Sequence, residues 1–173
     1  YIRKPQMCLS FRSNGVAFQS IPELLEPLGG FLVEMKKMGV RLINIRTVYE
    51  CDEGGSPLEA GLHLDSRPFL RQEGLLPDSW GAKTVDCLPD FDYEVVKVRF
   101  SSFFGTSLEA LLKHHCIETV VLTGVYTNYC VQATAFDAYQ RNFRVVMAHD
   151  MMTTWDPDVH RGVLKGLSGF CLL

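Results

Sequence analysis

Short runs of branched, apolar residues alternate with segments of helical period along most of this sequence, and few folds satisfy that alternation. Ile21, Leu24, Leu25, Leu28, Phe31, Leu32, Met35 and Met38 recur at steps of three and four, the stripe of an amphipathic helix. Pro27 and Gly29-Gly30 break the stripe, which predicts a kink or a late start. Gly39 stands where a helix stop is needed, and Val40 to Ile45 follows as a strand. The exchange then repeats. A strand over 93–98 precedes a helix over 106–115, opened by a Thr106-Ser107-Leu108-Glu109 capping box. A strand over 119–122 precedes a helix over 130–141. A strand over 143–148 precedes a helix that starts at the N-cap Asp156 and Pro157, with Val159, Val163, Leu164 and Leu167 as its apolar face. A last strand begins at Phe170. Strands apolar on both faces and separated by helices form a parallel sheet with helices on either side, so the expected class is α/β.

At 173 residues the chain suits a single core, and its 47% hydrophobic content excludes a disordered segment. Seventeen Lys and Arg face 20 Asp and Glu, a net charge of -3 without a basic stripe, which excludes a nucleic-acid partner. No apolar run nears the ~20 residues that span a bilayer, and Tyr1-Ile2-Arg3-Lys4-Pro5 carries no apolar signal core, so no membrane partner is expected. The six cysteines, Cys8, Cys51, Cys87, Cys116, Cys130 and Cys171, are scattered without a CxxC pair and read as reduced thiols of a cytoplasmic protein. Residues 47–92 hold Gly, Pro, Asp and Ser clusters without sustained period, a long loop region with one short helix near Arg67 to Gln72. Such loops serve compact domains as lids or substrate walls.

In open parallel sheets the working groups collect where strands end and helices begin. Leu122 to Cys130 is such a junction, and it delivers a cysteine to the first turn of a helix. Unpaired N–H groups and the helix dipole favour a thiolate there. Cys130 is therefore the candidate nucleophile by position, the alternative being a small buried apolar residue.

The run from Thr123 to Ala138, TGVYTNYCVQATAFDA, closely resembles the nucleophile segment of the isochorismatase-like cysteine hydrolases: a strand, G-V-x-T-x-x-C-V, then x-x-T-A-x-D-A. Upstream, Lys97 to Leu108, KVRFSSFFGTSL, resembles their lysine segment, K-x-R-x-S-A-F followed by T-x-L. The likeness extends to the Gly39 to Arg46 strand, the Trp80-Gly81 turn and the Asp150 strand end, and covers the chain from about Gly15.

The resemblance implies a three-layer α/β/α sandwich around a mostly parallel six-stranded sheet, Rossmann-like, as one domain over residues 1–173 and assembled as a homodimer or homotetramer. It implies a Cys-Asp-Lys triad in which Cys130 attacks a carbonyl carbon and Lys97 supports the thiolate and the oxyanion. It also implies a non-proline cis peptide at Val125-Tyr126, with the N–H groups of Tyr126 and Cys130 as an oxyanion hole. The expected substrate is a small amide or ureido compound, cut at a non-peptide C–N bond through a thioester, with no cofactor. Trp80, Phe103, Tyr126 and Tyr129 cluster around the matched segments and are candidates for pocket walls or for core filling.

One part of the pattern is missing. The family's general base follows the first strand in a D-x-Q segment, whereas the first acidic residue here is Glu23, on the first helix. By alignment the base position falls near Pro5 or near Phe11, with Ser10 and Ser13 the nearby polar residues. Either the chain is truncated at one or both ends and lacks its first strand, or the protein dispenses with the base. In the second case it is a catalytically weak or silent homologue acting as an oligomeric binding or scaffold protein. A thiol redox sensor ranks last, since no resolving cysteine is placed beside Cys130. The nicotinamidase branch binds a divalent ion through Asp-x-His and a further His. Here Asp52 is followed by Glu53 and Gly54, and only His63 lies nearby, so no metal site is expected and His63 reads as a loop residue. His114-His115 read as helix-end residues, and Asp150, beside His149, as a turn carboxylate or an orienter of the neighbouring loops.

Overall fold

The structure, a computed structural model, describes residues 20–54, 57–58, 61–66 and 75–173. Helix α1 covers Ser20–Lys37 with Pro27 inside it, so the late start suggested by the proline and glycines does not occur. Burial explains this. Ile21, Leu24, Leu28 and Leu32 are all buried, each worth about 1.5–3 kcal/mol, against helix costs of about 3 kcal/mol for the proline and about 1 for each glycine. Gly29 is also needed small, because a Cβ there would stand 3.2 Å from the Cys87 carbonyl oxygen. Gly39, at φ +82°, closes the helix in the left-handed region, and the Val40 N–H returns to the Met35 carbonyl at 3.0 Å.

Strand β1 (Ile43–Thr47) pairs in parallel with β2 (Tyr93–Lys97), from Ile43 opposite Tyr93 to Thr47 opposite Lys97. Strand β3 (Thr119–Val125) pairs in parallel with β4 (Arg144–Thr153). Their register runs to Leu122 opposite Met147 and resumes at Gly124 opposite Met152, so β4 bulges between the two pairs and outlasts the expected strand. Leu172 adds a parallel bridge to Val146 in place of a full last strand. The expected single six-stranded sheet is thus seen, among the described residues, as two parallel pairs and a bridge. Residues of both pairs, those of β1 and those of β3 among them, line a cleft of about 570 Å³.

The remaining helices are α2 (His63–Ser66), α3 (Leu108–His114), α4 (Gln132–Gln140) and α5 (Pro157–Leu167), with a 3-10 turn at Trp80–Ala82. The helix expected near Arg67 to Gln72 falls outside the described residues. Helix α5 begins as its sequence requires: the Asp156 carboxylate accepts from the N–H groups of Asp158 (2.7 Å) and Val159 (3.3 Å), with Pro157 in the first turn. The capping box ahead of α3 does not form. Thr106 Oγ1 accepts from Leu108 N–H at 3.2 Å, while Glu109 turns to Lys113 (2.6 Å) and Arg141 (2.9 Å), two cations that outcompete a backbone N–H for a carboxylate.

Two apolar clusters flank the strands. One gathers Leu24, Leu28 and Leu32 of α1 with Leu42 and Met151. The other joins Val95, Leu112, Ala135, Ala138, Val145, Met147, Met152 and Leu167. Met151 and Met152 are successive in β4 and enter different clusters, as alternate residues of a strand must when helices cover both faces. Among the described residues no helix is long and apolar enough to cross a membrane.

Met147 is 0% exposed at the centre of the larger cluster. Met147→Ala is expected to lower unfolding free energy by about 2–5 kcal/mol, and the volume-conserving Met147→Leu by less than about 1.5 kcal/mol. Urea denaturation of the two variants measures both.

Candidate active site

Strand β3 ends at Val125, and residues Thr127–Val131 form a π-helical turn before α4, replacing the regular helix start expected at Cys130. The Tyr126 carbonyl accepts from the N–H groups of Tyr129 (3.1 Å) and Val131 (3.2 Å), and the second bond spans five residues, which widens the turn. Gly124 sits at φ +97°, a conformation that side chains avoid, and the Val125-Tyr126 peptide is cis.

This turn carries Cys130, half-buried, toward Lys97 at the end of β2. Lys97 is 5% exposed. Its Nζ donates to Cys130 Sγ at 3.3 Å and to the Arg99 carbonyl at 2.7 Å. The two residues singled out from the sequence as nucleophile and supporting cation are therefore in contact. Among the described residues no carboxylate pairs with either of them. Pro5, Ser10, Phe11 and Ser13, where the base was sought, lie outside the described residues, as does Cys8.

Hydrogen bonds on two sides hold the turn. On one side Thr134 Oγ1 donates to the Cys130 carbonyl at 2.6 Å and accepts from Ser102 N–H at 3.0 Å. Ser102 Oγ also lies 3.0 Å from Thr134 Oγ1. Since the single Thr134 proton is on the Cys130 carbonyl, Ser102 is the donor. On the other side the hydroxyl of Thr127, 0% exposed, meets His160 Nδ1 at 2.9 Å, and Thr154 Oγ1 donates to Asn128 Oδ1 at 2.7 Å. Burial pushes the His160 imidazole below its ordinary value. His149 and Arg161 add to that, against the opposing pull of Asp150.

An aromatic band runs along the site. Tyr126 and Tyr129 pack on Trp155 (centroids 5.5 and 5.1 Å), Tyr129 stacks on Phe100 (5.1 Å), and Phe100 lies 4.9 Å from His63. The cleft is lined by Tyr126, Tyr129, Phe100 and His63 together with Lys97 and Cys130. Trp155, Phe100 and His63 were not read from the sequence as wall residues, since loop aromatics have no period to reveal which way they face. Trp80 is 52% exposed on its 3-10 turn and does not line the cleft. Phe103 lines it but belongs to the larger core cluster, stacked on Phe143 with the Arg141 guanidinium 5.0 Å above its ring.

Asp150 pairs with His149 at 2.7 Å on the exposed part of β4. The two residues weighed for a divalent ion are engaged with neighbours. His63 Nδ1 is bonded to Tyr49 Oη at 2.8 Å and Asp52 closes its own turn on Gly54 N–H at 2.9 Å. Among the described residues no three His, Cys, Asp or Glu side chains converge.

Residues 7–172 match the isochorismatase domain, and the chain belongs to that family. It is 28% identical over 159 residues to the ureidoacrylate amidohydrolase RutB of Methylorubrum extorquens, a match covering 85% of this chain and 64% of that protein. The chain therefore spans less than two thirds of that relative's length. An isochorismatase-like hydrolase from Alkaliphilus metalliredigens superposes with a TM-score of 0.75 at 27% identity, covering 88% of this chain and 80% of that one. A cysteine hydrolase from Pseudomonas syringae pv. phaseolicola shares the fold with a TM-score of 0.78 at 22% identity, covering 88% and 76%.

Burial pushes the Cys171 thiol up, away from the thiolate. Limiting iodoacetamide at pH 7 is expected to label Cys130 ahead of Cys171 and the other thiols, and Lys97→Met to slow that labelling roughly tenfold by removing the adjacent cation. Peptide mass spectrometry over time reads both effects. His160 supplies a separate test. Its folded value lies below the ordinary 6.5, so the stability it contributes is present above that value and is lost as pH falls through the folded one. Thermal denaturation from pH 7.5 to 5 should show this loss, and His160→Asn should diminish it.

Proposed function

We propose that the chain is a cysteine amidohydrolase that cuts a non-peptide C–N bond in a small amide or ureido compound. The observation that carries this reading is the 3.3 Å contact between the Lys97 ammonium and Cys130 Sγ at the mouth of a strand-to-helix turn. In the proposed reaction the sulfur attacks the carbonyl carbon, the C–S bond forms, and the C–N bond breaks as the nitrogen leaves with the thiol's proton. Water then attacks the thioester: the C–O bond forms, the C–S bond breaks, the hydroxyl stays on the acyl group and the remaining proton goes to sulfur. Lys97 stays protonated, offsetting charge first on the thiolate and then on the carbonyl oxygen. The N–H groups of Tyr126 and Cys130 are proposed to hold that oxygen. No step of this proposed reaction calls on a metal. The amidohydrolase activity named for the Methylorubrum relative supports the substrate class.

The same reading takes the sheet as part of a three-layer, six-stranded, Rossmann-like fold, supported by the parallel register of both strand pairs and the Leu172 bridge. It takes the protein as a cytoplasmic homodimer or homotetramer. The thiols Cys51, Cys87, Cys116, Cys130 and Cys171 are all free, which suits a reducing compartment, and Phe136, Tyr139 and Leu172 offer exposed apolar surface for assembly.

A second reading, a weak or silent homologue kept as a binding or scaffold protein, is favoured by the lack of a carboxylate on Cys130 or Lys97 among the described residues. Acid–base assistance is typically worth about 10² to 10⁴ in rate. An activated ester, whose leaving group needs no proton, is therefore expected to acylate Cys130, while unactivated amides turn over slower by a factor of that order. Ammonia release from a panel of small amides and ureas, with mass spectrometry of Cys130, tests this. An acyl adduct absent from Cys130→Ser supports the enzyme; no adduct with any activated ester leaves the scaffold reading.

A further inference from the structure

Between the end of β4 and the first turns of α5, three residues meet three successive positions of the π turn that carries Cys130. His160 Nδ1 lies 2.9 Å from Thr127 Oγ1, Thr154 Oγ1 donates to Asn128 Oδ1 at 2.7 Å, and the Trp155 ring packs on Tyr129 at 5.1 Å. Of these three contacts only the first contains a group that titrates near neutrality, the imidazole of His160. The charged groups around that imidazole come from two elements. On β4 stand His149 and Asp150, paired with each other at 2.7 Å. On α5 Arg161 is paired with Asp158, and Asp156 uses its carboxylate in the helix cap. The π turn meets the imidazole with the Thr127 hydroxyl, while the titratable Cys130 of that turn meets Lys97 instead. Burial is the first of the effects that keep His160 neutral, His149 and Arg161 reinforce it, and Asp150 opposes it.

The direction of the Thr127–His160 hydrogen bond decides what protonation does. Thr127 is 0% exposed, so solvent does not reach its hydroxyl, and His160 is that hydroxyl's one hydrogen-bond partner among the described residues. A buried O–H that donates to nothing is costly, so the Thr127 proton points at Nδ1 and the neutral ring carries its own proton on Nε2. Once protonated, Nδ1 donates and can no longer accept, and the Thr127 hydrogen is left without an acceptor at the root of the π turn. We infer that His160 is a pH-responsive positioning residue for Cys130: as the neutral imidazole it braces the turn that holds the sulfur against Lys97, and as the imidazolium it releases that turn and lowers the reactivity of the thiol. This regulation rests on Cys130 as the nucleophile of the proposed amidohydrolase and adds an acid-side control to it. Charge alone would act with the opposite sign, because a cation near the sulfur favours the thiolate. The two effects are therefore separable by direction.

Iodoacetamide labelling of Cys130, followed by peptide mass spectrometry from pH 7.5 to 5, tests the inference without requiring turnover. The reference is His160→Asn, whose amide oxygen takes the place of Nδ1 as acceptor and does not titrate. Dividing the rate in the unmodified chain by that in His160→Asn removes the titration of the thiol itself. The ratio is expected to fall about tenfold as pH drops, the effect of losing one buried hydrogen bond. Cys171, 6% exposed, is expected to stay unlabelled over the same range, which marks the loss as local. In the unmodified chain, nitrogen-15 NMR at pH 7.5 is expected to find the His160 proton on Nε2. A ratio that stays constant or rises overturns the inference while leaving the nucleophile in place. So does Cys171 labelling that sets in together with the fall, since unfolding then accounts for it. Where His160→Asn fails to fold, the tautomer decides: a proton on Nδ1 overturns the brace and one on Nε2 supports it. A Cys130 inert at every pH defeats the amidohydrolase reading itself.

Discussion

A lysine ammonium with 5% of its surface exposed is the constraint on which the site depends. Burying an unpartnered charge costs several kcal/mol even after relaxation, so the fold must supply acceptors wherever Lys97 ends. Along β2 the inward positions are Val95 and Lys97, one a core residue and the next a cation. The strand thus carries an ammonium to where its alternation calls for another apolar side chain. Its acceptors are the Arg99 carbonyl and Cys130 Sγ. The first belongs to the chain just past the strand; the second must be brought 33 residues along, from the other strand pair. The contact consequently couples the two halves of the sheet across the cleft.

Delivering a sulfur atom to a fixed ammonium demands a turn that cannot drift. The π turn provides the reach, and hydrogen bonds on both sides remove its freedom. Ser102 is instructive. The lysine-segment motif K-x-R-x-S-A-F has alanine at this position, yet the serine hydroxyl here is buried and donates to Thr134, whose own proton holds the Cys130 carbonyl. A segment leading away from Lys97 thereby also fixes the backbone of Cys130. On the far side His160 reaches Thr127 from α5, so a helix that begins with a well-formed Asp156 cap ends up steadying the turn that carries Cys130.

Those features differ in how readily a sequence discloses them. Periodicity revealed α1 and the strand-helix alternation because burial of a stripe is repeated many times over, and it overrode Pro27. The sheet-edge rule located Cys130, but Lys97 needed the motif resemblance, since a strand-end lysine by itself reads as solvent-exposed. Local rules failed where a distant partner outweighed a near one: Glu109 left its capping box for Lys113 and Arg141, and Tyr126 drew Val131 into a π turn. The aromatic wall was legible only in part. Tyr126 and Tyr129 lie inside a motif, whereas Trp155 and His63 reach it from just past β4 and from the short helix α2.

The site accordingly divides into two kinds of structure with different tolerances. Cys130, Lys97 and their supports sit at the ends of β2 and β3 and on the turn that leads into α4, where strands and packed helices hold positions more closely than loops do. Much of the wall, His63 and the Gly61 turn against Arg99, comes from the 47–92 region, where few strand bonds constrain the backbone. Changing a loop residue there alters what the cleft admits without disturbing the contact between sulfur and ammonium. Charge follows the same division: the ammonium that meets Cys130 Sγ is buried in the rigid half, while the Arg99 guanidinium two residues on lies against the Gly61 turn. One short segment, Lys97 to Arg99, thus joins the end of β2 to the loop wall of the cleft.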